Sequence, residues 1–563
     1  MEKRMILAIA LSIALFFVYM HFFGPSPQKG PEAPGPQETA RRGGGDNAAR
    51  AGAPTAGATQ ALAASTSGVP GGLVPKASLP LRRIAVKTPL FTATIDTGGG
   101  GLPSILLNEY KDAPGPKGKP LEIVGSGGSR PLPLDLYLEE SQPSFPLLPV
   151  FASDAPDTLA VKKGEKKNVL LTWESAGGVR ISREYVFSGD RYDFEVRAQV
   201  SNGSREPLRV RPGFDLSQDF KGELAGDSYT FTGAVVDAKG KFEQIDLKTI
   251  GKGKVEKYPV QWAAADSKYF SLIFLPDKEW TLEKITLAGE TGIRMSIADS
   301  PAVLSPGDMV RVSGRVFAGP KRTDLLKETG KNLEALVDYG WFAFLAKPLV
   351  WLMKASNRVT RNYGIDIIVL TILIKILFFP LTKKSMASMK KMQDLQPIMA
   401  KLKEKYKDDQ ARLNQETMNL YKTYKINPVS GCLPMLMQIP VFIALYKALL
   451  VTIELRHSPF FLWINDLAAP EHLWDIAVAG YTIPIRLLPL LMGISMFVQQ
   501  KMTPSAGDPN QQKIMLLMPI IFTFMFWGFP TGLVIYWLVN NVLSIGQQLI
   551  HNAQAEAAKA ASA

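Results

Sequence analysis

Apolar residues recur along this chain with different periods in different stretches. After MEKR, the run "MILAIALSIALFFVYMHFF" covers Met5 to Phe23, and basic residues ahead of an apolar core mark a signal segment or an anchor. Bulky Met20, His21, Phe22 and Phe23 stand where a small-x-small cleavage site would be, and no cysteine follows. This predicts an uncleaved transmembrane anchor over residues 1–23 with its N-terminus inside. Residues 24–80 are rich in Gly, Pro and Ala, bury too little apolar surface to offset chain entropy, and read as a disordered linker.

Over residues 81–331 the period becomes two. In "YDFEVRAQV", Tyr192, Phe194, Val196, Ala198 and Val200 alternate with polar residues, as in a strand with one buried face, and "VRVSGRVF" (Val310 to Phe317) repeats the pattern. Further strands are expected near Phe91–Ile95, Val169–Trp173, Val179–Phe187, Tyr229–Val236, Phe270–Leu275 and Trp280–Leu287. Short strands separated by Gly, Pro and Asp favour an antiparallel β-sandwich.

Residues 332–359 are amphipathic and aromatic, with Lys347, Lys354 and Arg358 at intervals, which predicts an interfacial helix. A core over residues 360–550 follows, with spans expected at Ile365–Leu381, Gly431–Thr452, Ile483–Gln499, Ile514–Phe529 and Gly532–Leu549. Within it, residues 383–427 read as a helical hairpin, Ser385–Tyr406 against Gln410–Tyr424. Residues 551–563 are expected to form a short cytoplasmic tail. The fold class expected is a polytopic α-helical membrane protein of about six transmembrane helices, with an all-β domain outside and a cytoplasmic helical hairpin.

Loop charge orients these spans. Pro380 to Pro428 carries eleven Lys/Arg against five Asp/Glu, whereas Glu454 to Tyr481 carries four acids and one arginine. The first loop is therefore expected in the cytoplasm and the second outside, in agreement with the anchor. The net charge of +13 is not gathered into a basic, aromatic-studded face, so direct nucleic-acid binding is not expected. A single cysteine, Cys432, allows no intramolecular disulfide, and the four histidines show no metal spacing. "DTGGGG" (Asp96 to Gly101) lacks the Lys-Ser/Thr of a phosphate loop and reads as a turn. No catalytic constellation and no cofactor or metal site is expected.

The informative residue is Lys375, inside "VLTILIKILFFPLTKK". A lysine at a bilayer centre costs roughly 2.5–3.5 kcal/mol. Thr371 precedes it by one turn, Gln438 lies in the next span, and Tyr536, Trp537, Asn540, Asn541, Gln547 and Gln548 follow in the last. Polar side chains at this depth face protein or water, so together they are expected to line a wet groove open to the cytoplasm. The simpler alternative is that Lys375 snorkels towards headgroups near Lys383, about 12 Å along the helix. A small-solute transporter or channel is an alternative function, weakened by the lack of carboxylates in the apolar cores of the last five spans. A periplasmic glycan-binding protein on a membrane scaffold is another.

The stretches "NYGIDIIVLTILIKILFFPLTKKSMASMKKMQDLQP", "NPVSGCLPMLMQIPVFIALYKAL", "ELRHSPFFLWINDL" and "DPNQQKIMLLMPIIFTFMFWGFPTGLVIYWLVNN" resemble the YidC/Oxa1/Alb3 family of membrane protein insertases. The anchor, linker and large β-domain resemble its Gram-negative form. The resemblance implies a periplasmic β-supersandwich, an inner-membrane location, and five core helices around a hydrophilic groove whose cation is Lys375, with Thr371, Gln438, Tyr536 and Trp537 beside it. It also implies nascent membrane proteins as clients, the lipid bilayer and the Sec translocon as partners, and no enzymatic step. The basic, Met-containing hairpin is the candidate contact for the ribosome and the signal recognition particle receptor. Three departures stand out: lysine where arginine is usual at 375, Tyr536–Trp537 where two tyrosines are common, and a tail with only Lys559 as a base.

Overall fold

A strand with alternate apolar side chains buries one face only if its neighbours hold the same register. In the computed structural model, residues 79–562 are described apart from 126–131, 140–148, 221–229, 239, 254–256, 408, 425–432, 479–480 and 503–508. The expected anchor, the linker up to residue 78 and Cys432 lie outside the described residues. The strand Asp193–Asn202 runs between Val179–Ser188 and Met309–Pro320 and buries Phe194, Val196, Ala198 and Val200. These belong to an eight-stranded antiparallel sheet that also contains Lys241–Asp246, Gly233–Ala238, Trp262–Asp266, Phe270–Pro276 and Lys166–Glu174.

Phe274, Val316 and Phe194 stand side by side across this sheet and so share one face. Two smaller sheets cover that face. Phe214, from the sheet built around Leu208–Asp219, packs on Phe274 at 5.5 Å, while Phe91, from the sheet that includes Phe91–Asp96, reaches Phe194 at 6.2 Å. Each large side chain buried here contributes about 1.5–3 kcal/mol. The sandwich is therefore as expected, with a parallel pair, Arg83–Lys87 beside Thr158–Ala160, among its described strands. Several strands were not among those expected, such as Arg83–Lys87, Ser104–Lys111 and Gly292–Ala298; the alternation is lost in Leu208–Asp219, interrupted by Pro212 and Gly213, and in Trp262–Asp266, whose five residues are all buried.

The glycine run has a structural cause. Gly99 and Gly100 have φ of 73° and 72°, a region that favours glycine. Their carbonyls accept from buried groups: Arg183 Nη1 donates to Gly99 O and the Tyr185 hydroxyl to Gly100 O, both at 2.6 Å. Arg183 Nη2 also donates to Leu134 O and to the Tyr185 oxygen. A Cβ at Gly100 would stand 2.7 Å from Arg183 Nη1. A loop whose carbonyls point at a guanidinium is not arranged to cradle phosphate, so the turn reading holds.

Among the described residues two short helices, α1 (Leu247–Gly251) and α2 (Thr323–Thr329), belong to the β-domain, and eight more follow. They are α3 (Ala343–Thr360), α4 (Tyr363–Asp394), α5 (Gln396–Lys405), α6 (Gln410–Thr423), α7 (Leu433–Val451), α8 (Leu487–Met502), α9 (Pro509–Met525) and α10 (Thr531–Ser562). α3 covers only the second half of the expected interfacial stretch and is amphipathic, burying Ala346, Val350 and Met353 while Phe344 and Trp351 stay exposed. Several boundaries differ from expectation, α9 among them, which starts at Pro509 rather than Ile514. α4 runs unbroken through Pro380 to Asp394, so Ser385 continues this helix and the hairpin bends at Leu395, where Pro397 has no N–H to extend the ladder. The span expected from Ile483 begins at Leu487, because Trp474–Val478 and Tyr481–Ile485 pair as a β-hairpin. The tail continues α10, as its alanines favour. Among the described residues two helical segments, Tyr363–Asp394 and Thr531–Gln554, are long and apolar enough to cross a membrane, with shorter apolar stretches at Leu436–Val451 and Leu516–Gly528.

The β-domain is seated on α3 and α7. Ala346, Val350, Ala444, Ala448 and Ile453 share its hydrophobic core. Arg456 donates to Lys111 O at 2.7 Å and lies 5.4 Å over the Phe270 ring, and Lys354 pairs with Glu454 at 2.6 Å. Burial pushes the Tyr110 phenol up to about 12 against the pull of Arg322, so it stays neutral at this junction.

α3 and α4 are joined by a buried carboxylate. Asp366 is fully buried and accepts from Ser356 Oγ, Asn357 Nδ2 and Thr360 Oγ1, each at 2.6 Å. The side chain of Asn362 caps α4 by accepting from Gly364 N and Ile365 N.

Two outcomes follow from these anchors. Arg183→Ala strips three buried acceptors of their donor and is expected to destabilise the β-domain by on the order of 3–5 kcal/mol. A denaturant melt of the purified chain followed by tryptophan fluorescence reads this, and an unchanged midpoint would refute the anchoring role. Asp366→Ala leaves three donors without an acceptor, a loss on the order of 2–4 kcal/mol, with Asp366→Asn falling between it and wild type. Limited proteolysis between α3 and α4 in detergent should rise in the same order.

Candidate functional site

α10 is the helix from which the site is built. Its polar residues Tyr536, Asn541 and Ser544 are buried, and each meets a different helix. Tyr536 accepts from Gln438 Nε2 of α7, Asn541 Nδ2 donates to Ser495 Oγ of α8 at 3.0 Å, and Ser544 Oγ accepts from Lys375 Nζ of α4 at 2.6 Å. At about 100° per residue these side chains leave α10 in different directions, and about 12 Å of helix separates Tyr536 from Ser544. A polar tract therefore threads the bundle, with Gln548 Nε2 continuing it to Asn552 Oδ1 at 3.0 Å.

Lys375 sits at the edge of this tract. Its neighbours Ile372, Leu373, Ile376 and Leu377 are exposed apolar side chains, while Thr371 and Ile374 face inward and are buried. The ammonium turns to Ser544 rather than along α4 towards Lys383, and among the described residues no carboxylate forms an ion pair with it. Ser544 donates its own proton to Asn540 O at 2.7 Å. The pair has the separation of a nucleophile and its base, but that proton is committed and the mid-helix backbone N–H groups are bonded within the helix. It is a holding contact.

The other expected residues take different roles. Thr371 is fully buried and its hydroxyl donates to Ile367 O at 2.6 Å, inside its own helix. Trp537 packs edge-on against Phe442 at 5.0 Å and lies 5.0 Å from Phe526, in an aromatic cluster, with its indole N–H unpartnered among the described residues. Gln438 and Tyr536 are brought together. Ser544 and Ser495 were not foreseen, since a lone serine in an apolar helix usually bonds only its own i−4 carbonyl. The available signal was the four-residue spacing of Asn540, Ser544 and Gln548.

The two ends of the bundle differ. At one end the segment after α7 folds over the helix starts: Ile464, Leu467 and Ala468 are buried, Gly532 N donates to Leu467 O at 2.9 Å, and Gly364 packs so closely on Phe460 that a Cβ would meet its ring at 2.0 Å. Glu471 accepts from the Trp463 indole and from Leu488 N at 2.6 Å, serving as a remote cap for α8. At the other end Gln547 Nε2 and His551 Nδ1 have no partner among the described residues. No cluster of ligating side chains suited to a metal occurs among the described residues.

Comparison with known proteins bears on this arrangement. Residues 83–352 match the family described as YidC periplasmic domain, and residues 355–558 the family described as 60Kd inner membrane protein. The chain is 41% identical to a membrane protein insertase YidC of Pelobacter propionicus over 98% of this chain and 99% of that one. It is 39% identical to the corresponding insertase of Geobacter sulfurreducens over 100% of both. A crystal structure of an active YidC insertase with its first transmembrane domain resolved matches 84% of this chain and 93% of its own with a TM-score of 0.37 at 18% identity. With identities near 40% from end to end, the chain belongs to the YidC family of membrane protein insertases, inner-membrane proteins with a periplasmic domain.

Proposed function

We propose that this insertase works through a hydrophilic groove between α4, α7, α8 and α10, with Lys375 as its cation. The observation that carries the reading is the Lys375 ammonium, half-buried in an apolar helix and bonded to a neutral hydroxyl rather than to a carboxylate. A hydroxyl partner carries no charge to offset that of an ammonium, which is left to meet an acidic client. At roughly 4 Å and an effective dielectric near 20, one carboxylate gains about 4 kcal/mol from it. That is comparable with the roughly 2.5–3.5 kcal/mol cost of an aspartate at mid-bilayer. A short acidic tail is thus drawn to the middle of the membrane while the client's apolar segment moves into lipid beside the exposed faces of α4 and α9, and burial of that segment makes the step favourable.

In this reading about six helices span the inner membrane: the N-terminal anchor over residues 1–23, with its N-terminus cytoplasmic, and α4, α7, α8, α9 and α10. α3 lies along the periplasmic surface beneath the β-domain. α5 and α6, with the cytoplasmic end of α4, form a hairpin on the cytoplasmic side, the surface we assign to the ribosome and the signal recognition particle receptor. The Sec translocon is the expected membrane partner. No catalytic step is needed.

Insertion of a single-span client with an acidic N-terminal tail into proteoliposomes tests the cation. Lys375→Arg should retain activity, whereas Lys375→Ala should lose about tenfold or more and Lys375→Glu still more. Equal insertion by all four proteins would remove the charge step. Deleting Met389–Tyr424 should slow delivery of ribosome-bound clients while leaving the melting temperature within a few degrees of wild type, and undiminished delivery would refute the hairpin's role.

A further inference from the structure

We infer that Ser544 is the positioning residue for Lys375 and thereby sets the preference of the groove for acidic clients; this rests on the groove reading above. A lysine has four rotatable side-chain bonds, and one this close to the edge of a helix bundle can swing towards lipid headgroups or into the protein. Three features keep it inside. Ser544 Oγ accepts from Nζ at 2.6 Å, the hydroxyl is itself oriented by donation to Asn540 O at 2.7 Å, and Ser544 is buried against α4. α10 is held in rotation by Asn541 on Ser495 and by Tyr536 on Gln438, so the serine is presented at one depth.

The identity of the partner matters as much as its position. A carboxylate at 544 would hold the ammonium more firmly but neutralise it, leaving a client carboxylate nothing to gain. A hydroxyl holds it by a hydrogen bond and leaves its charge unopposed. Serine meets both requirements, and its small side chain lets α4 and α10 approach closely.

The test uses the full-length chain in proteoliposomes and two clients identical except for Asp or Asn at the same places in the translocated tail. The readout is the ratio of their insertion rates. Ser544→Ala is expected to lower the Asp-over-Asn ratio about tenfold, as for loss of one hydrogen bond to a charged group. Ser544→Thr should restore the ratio and Ser544→Asp should abolish it. If Ser544→Ala leaves the ratio at the wild-type value while Lys375→Ala abolishes it, the positioning role is overturned and the groove cation stands. If Lys375→Ala also leaves the ratio unchanged, the groove reading fails first. A Ser544→Ala protein that loses both clients equally, with no rescue by threonine, would show a packing role only and overturn the inference.

Discussion

A charge inside an apolar layer must be met by polar atoms of the protein or by water, because hydrocarbon supplies none. Lys375 imposes that condition on the whole helical half. It is met by a hydroxyl on α10, whose orientation depends in turn on contacts from α10 to α7 and α8. Bundle packing and local electrostatics are therefore one problem in this molecule: α10 cannot rotate without breaking three interhelical hydrogen bonds at once.

The same economy of polar contacts operates at the end of the bundle beside the β-domain. Asp366 is consumed by three donors from α3, and Glu471 by an indole and a helix start. Both carboxylates are taken up by structural networks of their own, and neither meets Lys375. The segment after α7 then packs over the helix starts and buries Leu467, so this end is filled with side chains, while at the other end Gln547 Nε2 and His551 Nδ1 are buried with no hydrogen-bond partner among the described residues. The β-domain continues the closure, since its core is shared with α3 and α7 and Arg456 reaches across to its backbone. Docking of that kind makes the domain a fitted cover for this side of the bundle.

Much of the architecture was legible as periodicity. Alternation in "YDFEVRAQV" and "VRVSGRVF" marked paired strands because the side-chain period of a strand is two whatever its neighbours are. It failed at "WAAAD" and "LRVRPGFDLSQD", where burial on both faces or a Pro-Gly step erases the signal. In the helical half apolar runs located the helices, but their ends were set elsewhere: by Pro397 in the ladder at Leu395, by β-pairing before Leu487, and by the helix propensity of the alanine-rich tail.

By itself the sequence determined the two-part organisation, the family, and the presence of a lysine inside an apolar run with polar residues in the neighbouring runs. These depend on composition and local order, which a chain carries before it folds. Only the tertiary structure decided which polar group meets which. Ser544 rather than Thr371 receives Lys375, Trp537 joins an aromatic cluster, and Arg183 occupies the carbonyls of the glycine turn. A hydrogen bond reads a distance of about 3 Å and an angle, and Lys375 and Ser544 stand 169 positions apart in sequence, so their meeting is a property of packed helices and of no local pattern.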